Sequence, residues 1–132
     1  RADNLIALLN RITADMGSSS AALDQRTLDS NAGYFDFGAD ATFYNVKGKL
    51  YAYYLILREI GVDYDRVIAD KQLTDIFQRM LSNMGRAAKM HPVIISNGAQ
   101  DGMFMPSHLS ALGFYLLRAR VQLREVTDTL EK

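Results

Sequence analysis

The residues best suited to chemistry gather in one stretch, residues 91–106 (HPVIISNGAQDGMFMP), and in the Ser107-His108 pair that follows it. His91 and His108 are the chain's two histidines, and Asn97, Asp101 and Ser107 lie between them. Two histidines and an acid suggest a metal site or an acid–base pair, but their separation matches no metal-ligand spacing and there is no HExxH. Ser107 beside a histidine suggests a nucleophile, yet it lacks the GxSxG elbow that exposes a serine on a sharp turn. Backbone amides near Gly98 and Gly102, with the start of a following helix, could hold an anion. The lysine of a phosphate-binding GxxxxGK[ST] loop is missing. Asn97-Gly98 and Asp101-Gly102 are also ordinary turn dipeptides, since these residue types tolerate left-handed backbone angles. We therefore expect no catalytic residue and no metal ligand here. The candidate ligand- or partner-contacting residues are Asn97, Gly98, Gly102, Phe104 and His108. A hydrolase using Ser107, His108 or Asp101 is the weaker alternative.

The elements that position this stretch are helices. Pro92 has no amide donor and pushes His91 toward extended geometry. Val93, Ile94 and Ile95 favour strand, and Met103, Phe104 and Met105 are again apolar. This predicts a short irregular β-hairpin that must lie on the helices or on a partner, because an isolated hairpin is marginal in water. Before it, residues 2–28 carry Leu5, Leu9, Ile12, Met16, Ser19 and Leu23, the alternating four- and three-residue steps of a coiled-coil-like seam. Gly17 and the serines at 18–20 weaken helix propensity and mark either close packing by a neighbour or a hinge.

Residues 29–40 read as a connection anchored by Tyr34, Phe35 and Phe37, with Asp40 capping the next helix. That helix should end at Ile60, with Gly61 as its stop. Phe43, Val46, Leu50, Tyr53, Leu57 and Ile60 line one face; Tyr51 and Tyr54 widen it, so it should be the most buried helix. Asp63 opens a third segment with a break somewhere in 69–74. A strong apolar face follows (Leu73, Ile76, Phe77, Met80, Leu81, Met84) and ends near Lys89. After the break, Ser107 can cap a final helix. Its Leu109, Leu112, Leu116, Ala119, Leu123, Val126 and Leu130 form the cleanest heptad pattern in the chain. The fold class is thus all-α, an antiparallel four-helix bundle-like domain over residues 1–132 with the hairpin between the last two helices. No inward Glu or ExxH pairs recommend a di-iron bundle.

With 132 residues, 48% of them hydrophobic, the chain can bury a real core. Fifteen basic and fifteen acidic residues leave zero formal charge. That balance is no footprint for nucleic acid or for a polybasic membrane contact. There is no cysteine, so disulfides and thiolate chemistry are excluded. The longest apolar run, 50–57, is far short of the roughly 20 residues that a membrane span needs. No cofactor is implied. The sequence opens at Arg1 inside a helical pattern, which reads as a fragment of a longer protein.

Three stretches carry a family resemblance: RADNL at 1–5, DATFYNVKGKLYAYYLILREIGVDYDRVI at 40–68 and PVIISNGAQDGMF at 92–104. Pro-Val-Ile, then Asn-Gly, then Gly-Met-Phe is the most specific piece, and His108 with the helix through Arg118-Ala119 also fits. Together they resemble the bacterial family of unknown function numbered 2333. The family pattern varies between Asn97 and Gly102, which sets Gln100 and Asp101 aside. The resemblance implies an envelope protein held in the inner membrane by one amino-terminal helix, with this carboxy-terminal domain in the periplasm. It implies no activity. The function expected is a structural or protein-interaction module, with an envelope protein or a second copy as partner and the membrane reached through a segment outside this chain. The alternative is a small molecule, lipid or peptide bound at the 91–106 loop, with Tyr51, Tyr54, Phe104 and Met105 lining the pocket.

Overall fold

The structure, a computed structural model, describes residues 2–29, 37–90 and 108–132, with side chains described for 3–26, 41–90 and 108–132. The described residues form α1 (Ala2–Asp29), α2 (Phe37–Asp63), α3 (Asp65–Asp70), α4 (Thr74–Ala88) and α5 (His108–Glu131), with no strand among them. The expected hairpin (93–95 against 103–105) and the Ser107 cap lie outside the described residues.

Apolar side chains at three- and four-residue steps must leave water together, and four such stripes do so here by closing on one another. The whole expected seam of α1 is buried, Ser19 included, as is that of α5 from Leu109 to Leu130. α4 contributes Phe77, Met80, Leu81, Met84 and Ala87, and α2 contributes Phe43, Val46, Leu50 and Leu57. α5 packs mainly on α1 and α4, and α2 bridges α4 and α1, so the bundle order is α1–α2–α4–α5 with α2 and α5 on a diagonal.

Cross-helix pairs set the directions. Asn10 on α1 donates to Glu131 on α5 at 3.5 Å, while Gly17, further along α1, faces Arg120, earlier on α5. Tyr54 meets Gly85, and Gly61 meets Phe77, so α2 and α4 also run antiparallel. Asp15 meets Tyr53, whereas Ser18 and Ala22 lie across a shallow cleft from Thr42 and Asn45. Neighbours therefore alternate up and down around the square, as short connections favour.

α1 runs unbroken through Gly17 and the serines. A neighbouring side chain lies over it, with the Arg120 guanidinium 3.4 Å from where a Cβ of Gly17 would be, so Gly17 sits in a close-packed, unbroken helix and is no hinge. The expected break in 69–74 is real. Gln72 takes φ 56°. Leu73 N donates to Ile68 O at 2.9 Å and Gln72 N to Ala69 O at 2.9 Å. This is a Schellman end in which a non-glycine residue occupies the left-handed position, sealed by the buried pair Ile68 and Leu73.

Three expectations about α2 are corrected. It begins at Phe37, so Asp40 lies within it and is not its cap. It continues through Gly61 to Asp63, and Asp63 therefore ends α2 instead of opening α3. A helical glycine costs only about 1 kcal/mol, which continued backbone bonding and packing offset. Gly61 is needed for proximity: a Cβ there would lie 2.7 Å from Cε1 of the buried Phe77 ring. Nor is α2 the most buried helix. Tyr44 and Tyr51 are 48% and 52% exposed, whereas the α5 seam is sealed along its length. Each tyrosine follows a core residue (Phe43, Leu50) and so points about 100° away from the bundle axis.

Two substitutions test these backbone assignments by thermal or urea unfolding. Gly61→Ala should destabilise by on the order of 1–2 kcal/mol, because overpacking against Phe77 outweighs the gain in helix propensity. Gln72→Gly should stabilise by about 0.5–1 kcal/mol by relieving the left-handed backbone. A more stable Gly61→Ala protein, or a less stable Gln72→Gly protein, would refute the respective assignment.

Candidate functional site: a tyrosine-lined cationic groove

Between the outward flanks of α2 and α4 runs an open groove of about 1050 Å³. Its α2 wall carries Tyr44, Lys47, Gly48, Tyr51, Tyr54 and Arg58. Tyr44, Tyr51 and Arg58 are seven residues apart, as are Lys47, Tyr54 and Gly61, so α2 presents a second heptad-spaced face beside its core face. The α4 wall carries Gln78, Ser82, Gly85 and Lys89, again at steps of four, three and four, with Arg86 alongside. Tyr54 is half-buried and packs on the core. Its ring forms the groove floor against α4, 3.6 Å from where a Cβ of Gly85 would be, an ordinary contact distance.

Among the described residues the lining has one sign of charge: Lys47, Arg58, Arg86 and Lys89 line the groove, and no described Asp or Glu does. Lys47 Nζ sits 5.6 Å above the Tyr44 ring and the Arg58 guanidinium 6.0 Å from that of Tyr54, so the tyrosines are faced by cations worth about 0.5–1 kcal/mol per contact at exposed sites. Arg58 also pairs with Glu59 at 2.7 Å, behind the groove. Arg86 and Lys89 form no ion pair among the described residues.

A polar clasp fixes α2 on its other side. Asp15 on α1 accepts from the Tyr53 hydroxyl at 2.8 Å and from Lys49 Nζ at 3.1 Å. The Tyr53 hydrogen bond, then the one from Lys49, hold the Asp15 carboxyl below its ordinary pKa. Burial, then the bond to Asp15, raise that of Tyr53, which stays a neutral donor. With Lys49 and Tyr53 tied to α1, the α2 face nearly half a turn away is turned to the groove.

Of the candidate residues named from sequence, Asn97, Gly98, Gly102 and Phe104 lie outside the described residues, as do His91, Asp101, Met105 and Ser107. His108 is described: it opens α5 and is half-buried. Tyr51 and Tyr54 line the α2–α4 groove; the pocket expected between them and Phe104 and Met105 involves residues outside the described ones. Lys47, Arg86 and Lys89 escaped notice. The signal was the heptad through Tyr44, Tyr51 and Arg58, which only a search for a second face on one helix would have found.

Among the described residues, no group of three or more His, Cys, Asp or Glu is placed to hold a metal ion, and no helix is long and apolar enough to cross a membrane. Fold and groove together define an up-and-down four-helix bundle with an open, cationic flank. The chain belongs to the bacterial family described as "Uncharacterized protein conserved in bacteria" (DUF2333), whose model matches residues 32–132. α1, with the RADNL stretch at its start, precedes the match. No curated protein and no solved structure matches the chain.

The clasp predicts an acid dependence. The folded carboxyl titrates below its ordinary value of 3.8, so its contribution is complete above that pH and disappears as pH falls through the folded pKa. Asp15→Asn should therefore lower stability at neutral pH by about 0.5–1 kcal/mol, a figure discounted for partial exposure. The gap to wild type should narrow in urea titrations as pH falls below 3.8 and through the lowered folded pKa. An unchanged gap at acid pH would show that Asp15 acts through shape and not charge.

Proposed function

We propose that this domain is a protein-interaction module of a bacterial envelope protein. In this reading it is the carboxy-terminal part of a chain anchored in the inner membrane by an amino-terminal segment, and it stands on the periplasmic side. The observation that carries the interaction role is the second heptad-spaced face of α2, exposed beside a matching face of α4. Helices seldom expose rings such as Tyr44 and Tyr51 at the spacing of a seam unless another element covers them, and tyrosine and arginine are enriched where proteins meet. The family makes the protein bacterial, and the envelope setting is what the resemblance of residues 40–68 and 92–104 implies.

The test is photo-crosslinking in the bacterium, with a benzophenone amino acid at position 51 of the full-length anchored protein and, as control, at exposed Ala7 on α1. A discrete adduct with one protein, formed from position 51 and absent from position 7, is expected. No adduct, or the same adducts from both positions, would overturn the groove as an interaction site.

A further inference from the structure

We propose that the α2–α4 groove takes an acidic amphipathic helix of a partner protein, laid along its length. The inference rests on the interaction reading above and names the chemistry of the partner.

Three independent features lead to it. The first is shape. From Tyr44 to Val62 the α2 wall extends about 27 Å, the length of an 18-residue helix. Both walls repeat at heptad spacing, the pattern that accepts the side chains of a third helix.

The second is charge. The chain as a whole is neutral, yet the described residues that line the groove include four cations and no acid, and two of the four, Arg86 and Lys89, form no ion pair among the described residues. Because α2 and α4 are antiparallel, with Tyr54 level with Gly85, these cations are strung out in the order Lys47, Lys89, Arg86, Arg58. A single lipid headgroup would call for cations clustered at one end. A row matches carboxylates repeated along a helix, and complementary charge of this kind sets partner choice and encounter rate.

The third is Gly48. It sits in the middle of α2 at the groove's edge, exposed, and a Cβ there would meet nothing within 4 Å. Like Gly113 on α5, and unlike Gly61, it has no intramolecular reason to be glycine, although glycine weakens a helix. A backbone approaching from outside supplies the reason.

Gly48→Ala separates this role from a structural one. It should raise the thermal midpoint by about 3–5 °C while weakening the partner helix roughly tenfold. The assay is fluorescence anisotropy of the purified 132-residue chain with a labelled 21-residue helical peptide. The peptide carries leucine at heptad a and d positions and glutamate on the flanks; a lysine-for-glutamate twin is the control. The glutamate peptide should bind, the affinity should fall with salt, and the lysine twin should not bind. Arg86→Glu with Lys89→Glu, both exposed, should remove binding and leave the thermal midpoint within a few degrees.

Equal binding of the twin, or indifference to both sets of substitutions, would overturn the proposal. So would binding to phosphatidylglycerol vesicles but not to the peptide, or a dimer in sedimentation that Arg86→Glu with Lys89→Glu abolishes; these would assign the groove to a lipid surface or to a second copy. A position-51 adduct that survives Arg86→Glu with Lys89→Glu would sink the acidic partner alone and leave the interaction reading standing. Absence of both the position-51 adduct and peptide binding in the otherwise unsubstituted protein would sink both.

Discussion

The apolar seam of α5 governs the rest of this structure. Leu109, Leu112, Leu116, Ala119, Leu123, Val126 and Leu130 are all withdrawn from water, and one flanking helix cannot cover a stripe of that length and width. α1 and α4 close on it from two sides. Their positions are registered by polar contacts at the seam's margins, Asn10 donating to Glu131 and Asn83 donating to Gln122 at 2.7 Å, beside the Arg120 side chain lying over Gly17. Each bond is modest in itself. Their effect is to select one register among several that leucines alone would tolerate, because a slipped register would leave the polar groups unmatched.

α2 completes the square and has the least freedom. One side is tied to α1 by the Asp15–Lys49–Tyr53 clasp, and the other is drawn against α4 where Gly61 admits the Phe77 ring. Held at both edges, the helix cannot rotate to bury Tyr44 and Tyr51 as well as Phe43 and Leu50. The surplus apolar face is left on the flank beside α4. The groove is thus a direct consequence of a helix with two heptad faces in a bundle that can bury one. The cations along it keep this exposed aromatic surface hydrated and give it a sign.

Much of the fold was legible in the chain. Helix existence, the α1 and α5 seams, the break ahead of Leu73 and the end of α4 near Lys89 all follow from spacing, because a buried stripe at 3.6-residue period has one physical solution. The boundaries of α2 were misread at Asp40, Gly61 and Asp63, since local cap and stop preferences are worth about 1 kcal/mol and long-range packing exceeds that. The burial of α2 was misjudged for a related reason: two apolar faces on one helix look like a wide core stripe until its neighbours are known. Tyr51 and Tyr54 were recognised as possible pocket walls, whereas the basic wall was not, because Arg86 and Lys89 come from α4 and are ordinary surface residues within their own helix.

The sequence by itself determined that this is a helical, cysteine-free, charge-neutral bundle resembling a bacterial family, and which side chains α1 and α5 would bury. Those properties depend on composition and on periodicity within one segment. Tertiary structure alone decided which helices are neighbours, that Gly17 is no hinge and Gly61 serves close approach and not a stop, and that four cations from two helices fall in one row. Neighbour choice depends on how whole faces fit together. Glycine roles and charge rows depend on distances across the bundle, and no spacing along the chain records them.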